Sequence, residues 1–422
     1  MFGWEFPPNI TGGLGTACYG LTKGLAYHNV DIIFVVPKMF GNEDQSFLKL
    51  KNAEEIPVLQ KSINYEEFWK YITFLEVGSN LVPYMSPEEF KRQFNKYKLD
   101  STQSHERVFY ENFKFSGKYG ADLFQEVARY AVISAVIAAK NGFDIIHAHD
   151  WLTYPAGIAA KEISGKPLVI HVHATEYDRS GENVNKNVYD IEKKGMMAAD
   201  RIITVSHLTR KIVIEKYGID PDKVITIHNA VEPTVKKQIG ERNVDEKIVT
   251  FLGRITFQKG PEYFIEAANK IIKHDKNVRF VMAGSGDMFN KMIKMVAKLG
   301  ISDKFHFTGF LQGEDVDRML QISDVYVMPS VSEPFGISPL EAMQANVPVI
   351  ISKQSGVAEV LNYAIKVDFW DIDAIANSIY GLLHYEAIGN VFRKHGKQEV
   401  LNLKWEYSAK RVKSIYESLL NK

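Results

Sequence analysis

Short apolar runs, each ended abruptly by a glycine or a polar residue, recur along this 422-residue chain and set its fold class. Asp31 to Val36, Phe143 to Ala148, Leu168 to Val172, Arg201 to Val205 and Val224 to Ile227 form one set. Ile248 to Leu252, Val278 to Ala283, Phe305 to Phe307, Val325 to Met328 and Val347 to Ile351 form a second. Apolar runs without alternation mark strands buried on both faces, as in parallel sheets. Helical patterns lie between them, so an α/β chain of strand–helix units is expected. Its length suits two domains, each with its own core, over 1–232 and 248–404. The charged, strand-free stretch Pro233 to Lys247 is the expected linker, and 405–422 a C-terminal helix.

Two regions depart from this rhythm. Phe40 to Gly120 is charged, aromatic and irregular, with Tyr65, Phe68, Trp69, Tyr71, Tyr84, Phe109 and Phe113, and reads as an insertion (about 40–120) on the first domain. Its rings are expected to form a local core or an oligomer contact, with stacking on an acceptor sugar the alternative. The first strand is also short, since only Met1 to Glu5 precede Phe6-Pro7-Pro8. A few further residues are expected upstream.

Ligands of an open α/β sheet bind where its strands end. Those ends hold the glycine loop Thr11-Gly12-Gly13-Leu14-Gly15, ahead of a helix expected over Thr16 to Tyr27, then His147-Ala148-His149-Asp150, His171-Val172-His173, Gly253-Arg254 with Lys259, and Gly284-Ser285-Gly286. The richest stretch follows the run Val325 to Met328. It carries Glu333 and Glu341, with Gly336, Ser338 and Pro339 between them. Pro339 suits the first turn of a helix, whose N–H groups and dipole favour an anion. Arg254 and Lys259 bracket a turn, and a forked guanidinium beside a mobile ammonium suits a diphosphate. The bland readings are a capped helix and a solvated basic pair.

Several classes are disfavoured. The G-x-G-x-x-G fingerprint fails at Cys18 and at Phe289, which argues against a dinucleotide oxidoreductase. Lys+Arg and Asp+Glu both total 51, so no field favours nucleic acid. Cys18 is the single cysteine, which suits a reducing, cytoplasmic compartment. The N-terminus lacks the pattern of a signal peptide, and no transmembrane span is expected. Three D-x-D pairs, Asp220/Asp222, Asp315/Asp317 and Asp371/Asp373, read as helix caps rather than metal ligands.

In this order, the motifs resemble those of retaining glycosyltransferases of family 4 with the GT-B fold, in the glycogen/starch synthase-like branch. The resemblance rests on Gly12-Gly13-Leu14-Gly15, His147-Ala148-His149-Asp150-Trp151, Gly253-Arg254 with Gln258-Lys259-Gly260, and Glu333 with Glu341, and it spans nearly the whole chain. It implies two Rossmann-like domains facing a central cleft, with the C-terminal helix crossing back to the first. A nucleotide diphosphate sugar would sit on the second domain and a carbohydrate acceptor on the first. Arg254 and Lys259 would match the pair that neutralises the diphosphate, Glu341 the ribose-binding glutamate, Glu333 the one beside the donor sugar, and His149 the histidine near the reacting sugar. Gly13 and the backbone of Ser338 to Leu340 would lie near the phosphates, and no metal or other cofactor would be required. His173 to Arg179, with the insertion, would be acceptor-side elements.

This chain departs from the bacterial glycogen synthases in two places. Asn9-Ile10-Thr11 stands where they carry a lysine, and Glu341 is a glutamate they lack. Donor base, donor sugar and acceptor therefore stay open between the members of the broader family. Two rival chemistries are a nucleotide-sugar epimerase or hydrolase of the same architecture, and a metal-dependent hydrolase built on the His147/His149 and His171/His173 pairs.

Overall fold

A computed structural model describes residues 1–8, 12–59, 110–117, 119–120, 122–232, 242 and 244–421. Two parallel sheets flanked by helices form two Rossmann-like domains. The first uses β1 (Ile33–Val36), β2 (Lys49–Asn52), β5 (Ile146–His149), β6 (Leu168–Val172), β7 (Arg201–Thr204) and β8 (Val224–Thr226). β1 pairs β2, and β5 to β8 pair in sequence order. Phe2 stitches the two groups together by bridging both Val35 and Ala148. Two short antiparallel strands, β3 (Val58–Leu59) and β4 (Tyr110–Glu111), stand apart.

Helices α1 (Gly13–Tyr27), α2 (Leu123–Lys140), α3 (Tyr154–Ser164), α4 (Glu176–Ser180), α5 (Lys186–Ala198) and α6 (His207–Tyr217) belong to this half. The second sheet has the order β11-β10-β9-β12-β13-β14. Its strands are β9 (Lys247–Leu252), β10 (Val278–Ala283), β11 (Phe305–Gly309), β12 (Val325–Met328), β13 (Val349–Ser352) and β14 (Ile365–Val367). Around it lie α7 (Pro261–Ile272), α8 (Phe289–Lys298), α9 (Glu314–Gln321), α10 (Ser338–Gln344), α11 (Ile372–His384) and α12 (Glu386–Val400). Strands such as Leu168–Val172 and Val325–Met328 are buried at every position, as their unbroken apolar runs require.

The last helix, α13 (Trp405–Leu420), packs on α1 in the first half. Trp405, Ala409, Val412, Ile415 and Tyr416 share one core with Cys18, Leu21, Leu25 and Phe34. The stripe works because α1 is bare where the helices touch. A Cβ on Gly20 would lie 2.2 Å from Trp405 Nε1, and one on Gly24 would lie 2.8 Å from the Trp405 carbonyl oxygen.

Three expectations need adjustment. Gly13, Leu14 and Gly15 are the first turn of α1 rather than a loop before it. Lys49–Asn52 is a strand of the main sheet, so the insertion does not start at residue 40. Lys247 opens β9, and most of the expected linker, like most of the insertion's aromatic residues, lies outside the described residues. Among the described residues no helix is long and apolar enough to cross a membrane.

Candidate active site

Parallel pairing of β9 with β12 sets the loops that follow them side by side. The turn after β9, Phe257–Lys259, ends at Gly260 with φ of +64°. Only glycine fits there, because a Cβ would sit 2.1 Å from the Pro329 carbonyl oxygen. Val331 N–H donates to the Gln258 carbonyl at 2.9 Å, locking the two loops together. Lys259 and Glu333, far apart in sequence, thereby form an ion pair. Their side chains keep 20% and 8% exposure, so the carboxylate is sheltered while the ammonium reaches the surface. Glu333 is further fixed by its backbone: its N–H donates to the Gln354 carbonyl at 3.0 Å, and its carbonyl accepts from Gly356 N–H at 2.8 Å. Arg254 is exposed in the loop directly after β9.

The helix after Glu333 is α10, with Pro339 in its first turn. Ser338 Oγ lies 2.8 Å from the Tyr326 hydroxyl, which donates to the Leu252 carbonyl at 3.3 Å. Burial, with lesser contributions from the Glu333 and Glu341 charges, holds that hydroxyl well above its ordinary pKa, so it stays neutral beside both. Not all of the expected N–H groups are free. Leu340 N–H and Glu341 N–H both donate to the Ile337 carbonyl, at 2.9 and 3.2 Å. The paired glycines 284 and 286, which resemble half a dinucleotide fingerprint, serve packing. A Cβ at Gly284 would meet the Gly253 carbonyl oxygen at 1.9 Å, and one at Gly286 the Ile255 oxygen at 2.2 Å. At Gly12 and Gly13 the situation is reversed, for a Cβ there meets nothing within 4 Å among the described residues.

The first half approaches Glu333 through the turn after β6. Thr175 and Asp178 form a capping box that opens α4. The other oxygen of Asp178 accepts a hydrogen bond from Ser332 Oγ at 2.7 Å, across the two halves. Behind this contact lies a buried charge network. Arg179 bonds Glu176 at 3.1 Å and pairs with Glu192, which also accepts from the Tyr217 hydroxyl. Burial pushes the Glu192 carboxyl up to about 7, against the pull of Arg179. Asp150, at φ +61°, accepts from His173 N–H at 2.7 Å and Ala174 N–H at 3.2 Å, and burial raises it to about 6. A second cross-contact is made by Glu359, which accepts from His207 N–H at 2.9 Å, Leu208 N–H at 2.8 Å and His228 Nε2 at 2.8 Å.

His149 is fully buried. Its Nδ1 lies 3.1 Å from His173 Nε2, and its ring stacks on those of His147 and His171. His173 is the half-buried member of this group. Burial holds all four imidazoles below their ordinary pKa, His173 at about 3, so they are neutral. Asp220 and Asp371 cap helical turns as expected, and Asp315 and Asp317 lie in the first turn of α9.

The structure thus brings Lys259 to Glu333 and places Glu341 in the first turn of the helix that follows, with Arg254 in the loop after β9. The bond from Asp178, the clamp by Glu359 and the Arg179–Glu192 network have no motif that spacing alone reveals. The capping pattern Thr175-x-x-Asp178 is the one local signal that was present.

Residues 1–227 match the family model described as the starch synthase catalytic domain, and residues 234–399 match glycosyl transferases group 1. An uncharacterised glycosyltransferase of Methanocaldococcus jannaschii is 28% identical, over 99% of this chain and 97% of its own. Among solved structures, sucrose-phosphate synthase from Thermosynechococcus elongatus superposes with a TM-score of 0.70 at 19% identity, over 97% of this chain and 94% of its own. The Anabaena protein HepE, in complex with UDP and glucose, gives a TM-score of 0.61 at 18% identity, over 70% of this chain and 82% of its own.

Proposed function

Since the chain belongs to the starch synthase catalytic domain family of GT-B glycosyltransferases, we propose that it moves a glucosyl group from a UDP-sugar to a sugar or α-glucan acceptor, with retention of configuration. The observation that carries this reading is the Lys259–Glu333 pair at the strand ends of the second domain, faced across the cleft by Asp178. Breaking the bond between a sugar and a diphosphate develops negative charge on the leaving oxygen and positive charge on the sugar. Lys259 and the exposed Arg254 meet the first; Glu333 meets the second. Lys259 is held at the spot by Glu333 and keeps enough surface to swing toward a phosphate. Glu341 reads the ribose, and Gly13, with open space about its Cα, lets a ligand approach the start of α1. Ser338 and Leu340 lie beside the phosphates as the first turn of α10. His149, neutral, is the hydrogen-bonding group on the acceptor side.

In a same-face attack the acceptor's proton passes to the departing phosphate, so retention needs neither a second carboxylate nor a metal. UDP is favoured by the HepE complex, and the cytoplasm by the lone cysteine. A metal-dependent hydrolase on the H-x-H pairs is disfavoured because no Asp or Glu joins the cluster of His147, His149 and His171 among the described residues, so a metal-bound water there lacks a general base.

Nucleotide release is measured from UDP-, ADP- and GDP-sugars, with and without maltooligosaccharide, in EDTA. Release from UDP-glucose that requires an acceptor is expected. Release at the same rate without any acceptor would instead favour the epimerase or hydrolase reading. No release from any UDP-sugar refutes the donor assignment.

A further inference from the structure

In sequence the two H-x-H pairs are unrelated; in the fold they are one cluster. β5 and β6 pair in a register that sets His149 opposite His171. Alternate residues of a strand share a face, so His147 and His173 join them. Cys18 of α1 and Tyr416 of α13 cover that face. His147, His149 and His171 each offer a ring nitrogen, and these lie within 4.8 Å of one another. All three residues are at most 2% exposed. The Nε2 atoms of all three, and Nδ1 of His171, have no hydrogen-bond partner among the described residues. A neutral imidazole carries one donor and one acceptor, and burying both unpaired is unfavourable. Near-parallel rings, as between His147 and His171 at 5°, set their nitrogens side by side without satisfying them.

The remaining nitrogens are already held. His147 Nδ1 lies 2.5 Å from the Tyr416 hydroxyl, and His149 Nδ1 lies 3.1 Å from His173 Nε2. Fixing the second nitrogen is how proteins set the tautomer and aim of a metal-binding histidine. We infer that this chain binds one transition-metal ion of the zinc class through His147, His149 and His171, between the first sheet and helices α1 and α13. Three imidazoles with a fourth position for water form a zinc donor set, whereas magnesium and calcium take oxygen. Tetrahedral bonds of about 2.0–2.1 Å put ligand nitrogens roughly 3.4 Å apart, so binding draws the rings together. The site is distinct from the Lys259–Glu333 pair and shares only His149 with the proposed transfer. With Nδ1 on His173 and Nε2 on the ion, His149 has no nitrogen left for a sugar. The ion therefore inhibits transfer rather than assisting it.

Metal-stripped full-length protein is titrated with Co2+ and with Zn2+, and the zinc form is examined by X-ray absorption. One equivalent bound, the visible bands of tetrahedral cobalt, and a zinc shell of nitrogen and oxygen are expected. Affinity falls about 100-fold in His147→Asn and in His171→Asn, and roughly tenfold in Tyr416→Phe. The wild-type titration stands whether or not those variants fold: no stoichiometric binding overturns the site. A sulfur neighbour also overturns it, moving the ion to Cys18, His149 and His173, whose ligand atoms likewise lie within 4.8 Å. Binding with unchanged nucleotide release upholds the site but removes both the inhibition and His149 from the transfer reading.

Discussion

Replacing Gly20 by alanine tests how the last helix is held on the first domain. A new Cβ would sit 2.2, 2.4 and 2.5 Å from Nε1, Cε2 and Cδ1 of Trp405. Ordinary carbon contacts are about 3.5–4.0 Å, so the indole must retreat by more than an ångström from a core where it is 4% exposed. Such overpacking costs about 1–3 kcal/mol. Alanine in a helix interior returns about 1 kcal/mol relative to glycine. In the wild-type background Gly20→Ala is therefore neutral to destabilising, by up to about 2 kcal/mol. In a Trp405→Ala background, itself costing about 3–5 kcal/mol, the clash is gone and the same substitution stabilises by about 1 kcal/mol. The coupling is the strain alone, about 1–3 kcal/mol. Urea unfolding of the four proteins by circular dichroism, with amide exchange of residues 405–420, measures it. An effect of Gly20→Ala that is equal in both backgrounds, within about 0.5 kcal/mol, refutes the packing argument.

Lys259→Ala and Glu333→Gln are each expected to lower kcat/KM for nucleotide release by at least about 100-fold while the fold persists; near wild-type turnover in either counts heavily against the site. Glu192 is raised from 4.5 to about 7 in the folded protein, so its contribution to stability is full below 4.5 and is lost as pH rises through 7. That loss has a slope of up to about 1.4 kcal/mol per pH unit, and Glu192→Gln should flatten urea stability across pH 5–8; an unchanged profile would falsify the assignment. Glu359→Ala removes an acceptor of three hydrogen bonds between the halves, partly open to solvent, and should weaken the contact between the halves by about 2 kcal/mol. Small-angle scattering would then show a larger radius of gyration, and an unchanged profile means other contacts set the closure.

The strands that carry the site were legible because each is an unbroken apolar run cut off by a polar residue. Lys259 and Glu333 could be nominated from their places after such runs, but their contact depends on β9 pairing with β12, an order no local pattern encodes. Lys49–Asn52 was missed for a physical reason. It is an edge strand with one charged face, so Lys-Leu-Lys-Asn blends into the charged segment that follows. The histidine cluster was half visible: each H-x-H pair predicts a shared face, while their union needs the register between β5 and β6. Tyr326 and Glu192 reach their partners through tertiary packing, which leaves no periodic trace. The crossing of α13 came from family resemblance; the glycines that admit it are readable only once Trp405 is known to lie on them.

Glu333 is bonded through its main chain to Gln354 and Gly356. Gly356 itself passes close to the other half, since a Cβ there would lie 2.5 Å from Ser206 Cβ. Three residues later Glu359 grips the start of α6. The segment that carries Glu333 and the segment that joins the halves, 354–359, are thus two neighbouring loops hydrogen-bonded to each other. For protein engineering, a graft of residues 332–337 from a relative would change more than the surroundings of Glu333. It would also disturb the 354–359 seat on which the two halves meet, so the two segments must be redesigned together.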